Sequence, residues 1–395
     1  MAIIVDILFW LIALPLAAAT AYLLLLTAAA FAARRHTPPR SARPDRRFAI
    51  LVPAHNEEEL LPGLLASLAR LDYPRELYQV HVVADNCQDG TAEIARAAGA
   101  TAHERHDTEQ IGKGYALRWL IGRVQAAGWP YDAIVILDAD TVVAPNLLTV
   151  MDARLARGER AIQCYYAVRE PERSWGAALR AVALAALHYL RPLGRMALGG
   201  SAGLKGNGMV FAADLTRRYE WPASLTEDIE YHMALILGGE RVFFAPDAVI
   251  WAEMPGTLAA ADTQNARWER GRLEMVRRYV PSLLREALAR RSFLLFDAAV
   301  EQLIPPFSVV AAAALAALAL APLASIPALA LSILLIGSLA LYILAGLVLA
   351  GAPRRIYQAL LYAPVFLVWK LWLYARVALG RDRSGWVRTA RNQQP

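Results

Sequence analysis

The sequence predicts an α/β protein, a mostly parallel, doubly wound sheet flanked by helices, joined to α-helical membrane-spanning and interfacial segments. Three observations predict it. Apolar strand-like runs alternate with amphipathic helical runs over residues 48–253. Two uncharged stretches, Ile7–Ala33 and Gln302–Pro353, are long enough to cross a bilayer. The chain of 395 residues is 57% hydrophobic, which is high for a soluble protein.

The first span is Ile7–Ala33. Only Asp6 is charged before it, whereas a secretory signal peptide opens on Lys or Arg. Arg34, Arg35, Arg40, Arg43, Arg46 and Arg47 follow it, so the positive-inside rule puts the N-terminus outside and the next domain in the cytoplasm. Pro38, Pro39 and Pro44 make residues 34–47 a basic linker.

The sheet domain covers residues 48–256. Phe48–Pro53, Val80–Ala84, Ala133–Leu137 and Met209–Ala212 read as strands. Glu57–Leu71, Thr91–Ala98 and Gly114–Ala127 read as helices. Residues 257–300 read as amphipathic, interfacial helices. Residues 301–352 hold a hairpin of two spans, about Leu303–Leu323 and Ala328–Ala350, turned at Pro322 and Pro327. Two crossings return the chain to Arg354 and Arg355, as the charge rule requires. In 353–395, Ile356–Leu379 is interrupted by Lys370 and Arg376 and precedes a basic tail. It reads as a helix in the interface, with a fourth span as the alternative.

The net charge of +6 gathers beside these membrane segments, which favours anionic lipid over nucleic acid as the partner. The two cysteines, Cys87 and Cys164, form no metal or disulfide pattern, consistent with a reducing cytoplasm.

Ligands of such sheets bind at the carboxyl ends of the strands. Polar residues recur there. His55-Asn56-Glu57 follows the first strand, Asp85-Asn86 the second, and Asp138-Ala139-Asp140 the strand Ala133–Leu137. Carboxylates one residue apart can share Mg²⁺, which takes one or two carboxylates plus phosphate oxygens. A lone Asp-x-Asp is more often a solvated turn, so its company decides.

Four stretches supply that company. Ile111-Gly-Lys-Gly114 offers flexible backbone and the point charge of Lys113 to a phosphate. Gly203-Leu-Lys-Gly-Asn-Gly208, with Lys205 and Asn207, can hold backbone close to a sugar or phosphate. The chain has three lysines against 38 arginines, and two of the three sit in these glycine-rich stretches. Ser224 with Glu227 reads as a capping box, which puts Asp228 in the first turn of a helix, where the dipole favours its ionised form. Such a carboxylate can accept a proton from a hydroxyl. Gln264, Arg267 and Trp268 share one helix face, where arginine suits a diphosphate and tryptophan a sugar ring. The same helix, rich in arginine, also suits lipid headgroups.

In this order, Pro-Ala-His-Asn-Glu, Asp85, Asp-Ala-Asp, Thr-Glu-Asp and Gln-x-x-Arg-Trp before a membrane hairpin, the chain resembles the membrane-integrated family-2 glycosyltransferases of GT-A fold. Cellulose, hyaluronan and rhizobial chitooligosaccharide synthases belong to that group. The resemblance covers residues 47–280 and extends loosely to the hairpin and to Trp386-Val-Arg-Thr389. It implies an inverting transfer from a UDP-sugar to a saccharide or lipid-linked acceptor at the bacterial inner membrane, with Mg²⁺ or Mn²⁺ as cofactor. It implies that Pro53, Asn56, Glu57 and Asp85 contact uridine and that Lys113 lies near the nucleotide or diphosphate. Asp138 would sit by ribose or metal, and Asp140 on the metal. Asp228 would be the general base, Gln264 and Arg267 would hold the diphosphate, and Trp268 would stack on the acceptor.

Two activities remain open on these residues. One is a processive polysaccharide synthase, which with about three spans would need a homo-oligomer or a secretion partner for export. The other is a transferase adding one sugar to a lipid, because the same pentapeptide occurs in ceramide glucosyltransferases. A catalytically dead membrane scaffold is disfavoured by the intact acidic motifs.

Overall fold

The computed structural model describes residues 2–34, 44–224, 226–254 and 258–378, without the side chains of 2–4, 258–268 and 377–378. Linker residues 35–43, the side chains of Gln264, Arg267 and Trp268, and the tail from 379, with its Trp386–Thr389, lie outside the described residues.

Helix α1 (Ala2–Ala33) leads into β1 (Phe48–Ala54), α2 (Leu61–Leu68), β2 (Tyr78–Asp85), α3 (Thr91–Ala97) and β3 (Thr101–Arg105). Then come α4 (Lys113–Ala126), β4 (Ala133–Ile136), β5 (Thr141–Val143), α5 (Leu147–Ala156), β6 (Ala161–Val168) and α6 (Trp175–Leu184). A π-helical turn, Ala185–Leu190, joins α6 to α7 (Arg191–Ala197). They are followed by β7 (Met209–Ala212), α8 (Ala213–Arg218), α9 (Glu227–Leu237) and β8 (Val242–Ala252). The helices α10 (Leu258–Arg290), α11 (Phe293–Leu303), α12 (Phe307–Ala324), α13 (Ile326–Leu349), α14 (Arg354–Gln358) and α15 (Ala363–Ala378) complete the order.

The sheet order is β3-β2-β1-β4-β7-β6-β8-β5. Strands β1, β2, β3 and β4 run parallel, as do β6 and β8, while β7 is antiparallel to both β4 and β6, and β5 to β8. Six of the eight strands thus run in one sense, so the sheet is mostly parallel as expected, made mixed by the reversed β7 and β5. Alternation alone does not show that β7 enters beside β4 in the reverse sense.

Both faces of the central strands are covered, which explains their unbroken apolar runs. Ile50 and Val52 point into a core with Leu61, Leu64, Leu147 and Met151. Ala49 and Leu51 point the other way, into a core with Leu117, Leu120 and Tyr231. That second core continues without a break into Phe9, Leu26, Ala314 and Leu339 of α1, α12 and α13. Small residues allow the join. A Cβ on Gly194 of α7 would stand 2.3 Å from the Leu26 carbonyl oxygen of α1, and one on Gly346 of α13 would stand 3.0 Å from Ala186 Cα.

Among the described residues, four helical segments are long and apolar enough to cross a membrane: Val5–Ala33, Phe307–Ala324, Ile326–Leu349 and Arg354–Arg376. The first helix of the expected hairpin begins at Phe307, not Leu303. Leu303 ends α11, and Pro305-Pro306, lacking N–H donors, separate the two helices. Ser325 makes the hairpin turn and caps α13 by accepting from the Ala328 N–H at 3.3 Å.

Candidate active site

Strand pairing brings the glycine-rich loop to the acidic turn. Because β7 is antiparallel to β4, the start of β7 lies beside the end of β4. Gly208 N–H donates to the Ile136 carbonyl at 3.0 Å. Asp138 N–H donates to Asn207 Oδ1 at 3.1 Å, and Asn207 Nδ2 donates to Thr141 Oγ1 at 2.8 Å. Asn207 is fully buried. It grips the Asp138–Thr141 turn from below, a positioning part where a ligand-facing one was expected. Gly203, Gly206 and Gly208 all have positive φ, a geometry costly for other residues.

Lys113, at the start of α4, reaches across. Its Nζ meets the Asp138 carboxylate and donates to the Gly206 carbonyl at 2.6 Å. Glu227 lies 4.0 Å from the same ammonium. A Cβ on Gly206 would stand 3.4 Å from Asp228 Oδ2 and 3.9 Å from Lys113 Nζ, so both charged groups face the same side of this glycine.

Helix α9 begins at Glu227 with Thr226 as its N-cap residue and no side-chain cap. The capping box expected of Ser224 and Glu227 does not form; the Ser224 hydroxyl is buried without a partner among the described residues. Asp228 is in the first turn, as expected. Its pKa is raised, not lowered. Burial outweighs the pull of Lys113, of the helix N–H groups and of Lys205. Burial likewise pushes Glu227 up to about 7, against Lys113 and with Asp228.

One cavity of about 1290 Å³ gathers Lys113, Asp138, Asp140, Lys205 and Asp228. Asp140 and Asp138 offer two carboxylates, and Asp138 is already shared with Lys113. Among the described residues no cluster of three or more His, Cys, Asp or Glu forms a closed metal site. The pair suits a hard divalent ion that takes its other ligands from phosphate and water.

Pro53, Asn56, Glu57 and Asp85 lie on the same rim of the sheet, at the ends of β1 and β2, but not on the wall of that cavity. Their two loops are stitched together. His55 Nδ1 lies 2.7 Å from the Asp85 carbonyl, Gln88 N–H donates to Asn56 Oδ1 at 2.7 Å, and Glu57 N–H donates to Thr91 Oγ1 at 2.9 Å. Asn56 and Asn86 hold left-handed backbone at φ 54 and 51. Asp85 pairs with Arg105 at 2.6 Å. Burial still raises the Asp85 pKa over that pairing.

Several parts escaped the sequence reading. Gln163 of β6 donates to the Asn207 carbonyl at 2.8 Å and accepts from the Lys205 N–H at 2.9 Å, so it sets the glycine-rich loop. Its signal was a polar residue inside an apolar strand. His188 and His232 also line the cavity. Burial lowers both to about 3, so they are neutral. His188 Nδ1 donates to the Tyr166 carbonyl at 3.2 Å, and Ser201 Oγ meets His232 Nε2 at 2.9 Å. Beneath them Arg195 is buried against Asp297 at 2.6 Å, and Arg191 against Glu301 at 2.9 Å. Burial lowers Lys205 to about 8, with Glu301 opposing.

Known proteins resemble this chain in sequence and in fold. The chain is 22% identical over 263 residues to a probable glycosyltransferase, YdaM, of Bacillus subtilis (strain 168), covering 64% of this chain and 60% of that protein. It is 27% identical over 251 residues to a beta-monoglucosyldiacylglycerol synthase of Trichormus variabilis, covering 61% and 52%. It is 26% identical over 295 residues to an N-acetylglucosaminyltransferase of Rhizobium meliloti, covering 70% and 67%. The first two matches thus span little more than half the relative's length. In fold it is similar to a mannosyltransferase of Pyrobaculum calidifontis, PcManGT, solved with GDP-Man and Mn²⁺. There the TM-score is 0.51 at 22% identity, covering 87% of this chain and 98% of that one. The sequence pattern of the family described as "Glycosyltransferase like family 2" matches residues 44–271, over half the chain and the whole sheet domain, and the chain belongs to that family.

Proposed function

We propose that this chain is an inverting glycosyltransferase that moves a sugar from a UDP-sugar to an acceptor held at a membrane. The observation that carries the reading is that Asp140 and Asp228 line one cavity, with Lys113 paired to Asp138 and 4.0 Å from Glu227. An in-line displacement needs a base on one side of the anomeric carbon and a stabilised leaving group on the other. Asp228, its pKa raised by burial, is a stronger base than an exposed aspartate and takes the proton from the acceptor hydroxyl. Asp140, with Asp138 beside it, would hold a Mg²⁺ or Mn²⁺ ion whose charge offsets that on the leaving diphosphate. Lys113 adds a fixed positive charge on the same side. The loops bearing Pro53, Asn56, Glu57 and Asp85 take the uridine. Gln264 and Arg267 hold the diphosphate, and Trp268 stacks on the acceptor. The catalytic domain faces the cytoplasm, and α1 enters the membrane from outside.

The test is release of nucleoside diphosphate from UDP-glucose, UDP-N-acetylglucosamine and GDP-mannose by the purified chain with Mg²⁺ or Mn²⁺. Turnover with a UDP-sugar, lost in Asp140→Asn and Asp228→Asn, is expected. Turnover of none of the three, or turnover that survives both substitutions, refutes the assignment. The anomeric configuration of the product, read by NMR, checks inversion.

A further inference from the structure

The cavity that holds Asp140 and Asp228 has a second half. It continues past Arg191 and Arg272 to a wall built by α12, α13 and the segment 360–374. Ala311, Leu315, Ile343, Leu360, Phe366 and Leu367 form that wall. The polar side chains there are already engaged. Ser308 Oγ meets Tyr374 Oη at 2.7 Å, Tyr374 donates to Glu269 at 3.2 Å, and Lys370 pairs with Glu269 at 3.6 Å. Tyr342 packs its ring beside Phe307, centroids 5.9 Å apart.

A saccharide chain carries hydroxyls all along its length, and each needs a partner when water is excluded. The wall offers aliphatic surface and polar groups that bond one another. A hydrocarbon chain needs no hydrogen-bond partners and gains by leaving water. The cavity is thus polar at the carboxylates and apolar at the far end, the distribution of an amphiphile.

We infer that the acceptor is a lipid whose hydroxyl-bearing head reaches Asp228 and whose hydrocarbon tail lies along α12, α13 and α15. This rests on the glycosyltransferase reading above and selects single-sugar transfer to a lipid over polymer extension. The Asp228 carboxylate takes the proton of the lipid hydroxyl as its oxygen bonds to the anomeric carbon. The sugar–phosphate bond breaks, and its electron pair leaves with the nucleoside diphosphate.

The experiment uses the full chain in phosphatidylcholine nanodiscs containing either a diazirine-tailed diacylglycerol or a diazirine-tailed polyprenol. After irradiation, crosslinks are mapped by mass spectrometry. With one of the two lipids, labelling at Leu315, Ile343 and Leu367 is expected to exceed that at the outward-facing Leu334 and Val348 by about tenfold. Excess unlabelled lipid should remove the excess, and so should Ala311→Trp, which fills the cavity. Labelling of Leu334 in that variant reports that the helices are still assembled. Which lipid labels the wall distinguishes an acylglycerol from an isoprenoid alcohol. Labelling that follows surface exposure alone with both lipids overturns the inference. So does radiolabel from the donor that collects in a water-soluble ladder and not in the organic phase. Wall labelling without any donor turnover refutes the enzyme assignment and leaves the lipid site standing.

Discussion

Asn207 holds the backbone of Asp138, its side-chain oxygen accepting that residue's N–H at 3.1 Å, although 69 residues separate them. The same side chain fixes Thr141 on the far side of the turn. The direction of the acidic pair is therefore set by a buried amide that need not touch substrate.

Asn207→Ala should leave two buried groups unpaired, at about 1–3 kcal/mol for each. The expected kinetic outcome is a higher Mn²⁺ concentration for half-maximal activity, with the donor KM at saturating metal little changed. A metal titration of the variant checks it; an unchanged midpoint would count against the positioning role.

Asp228→Asn should lower kcat by roughly 10²–10⁴-fold while donor binding, followed by calorimetry, is retained. The acid limb of kcat/KM in the wild type should lie above the ordinary aspartate range, because burial raises this carboxyl. Activity rises with pH through that limb, as the base loses its proton.

Lys205 is expected to supply the opposite limb. Burial lowers its pKa to about 8, so it is charged below that pH and neutral above. kcat/KM is expected to fall as pH rises through 8. Lys205→Arg, whose charge persists, should carry the limb to higher pH.

Glu227 makes a prediction about stability. Its folded-state pKa is about 7, above the ordinary 4.5, so the folded chain binds this proton more tightly than the unfolded one. Stability contributed by the protonated form is full below 4.5 and is lost as pH rises to about 7. Melting of Glu227→Gln, compared with the wild type, should gain relative stability across that window. A constant difference from pH 4 to 8 would refute it.

Arg105→Met should destabilise the fold by about 3–5 kcal/mol, because Asp85 keeps a buried charge without its partner. Adding Asp85→Asn should restore part of the loss. Denaturant midpoints of the two variants measure the difference.

Much of this was legible. β1, β2, α3 and α4 announce themselves because an apolar strand and a helical stripe need only local sequence. The helix expected at Glu57–Leu71 is shorter, Leu61–Leu68. Left-handed Asn56 turns the chain, and Pro62 suits the first turn of a helix. β3 was not assigned, since its Thr-Ala-His-Glu-Arg carries no apolar alternation. The carboxylates of the site could be found because charge at the end of a buried strand is conspicuous. Gln163, Arg105 and Asn207 could not be given their roles, because each acts on backbone or charge brought near only by strand pairing. The raised pKa of Asp228 was hidden for the same reason: a helix start is visible in sequence, but the burial around it is not.

The backbone approach of Gly194 to Leu26 has a further effect. With no side chain between α1 and α7, the two backbones touch, and α7 carries Arg191 and Arg195 of the chamber wall. Under the membrane placement proposed above, this contact would tie the height of the chamber mouth to the first helix, and the proposed lipid acceptor would reach it sideways from between the helices.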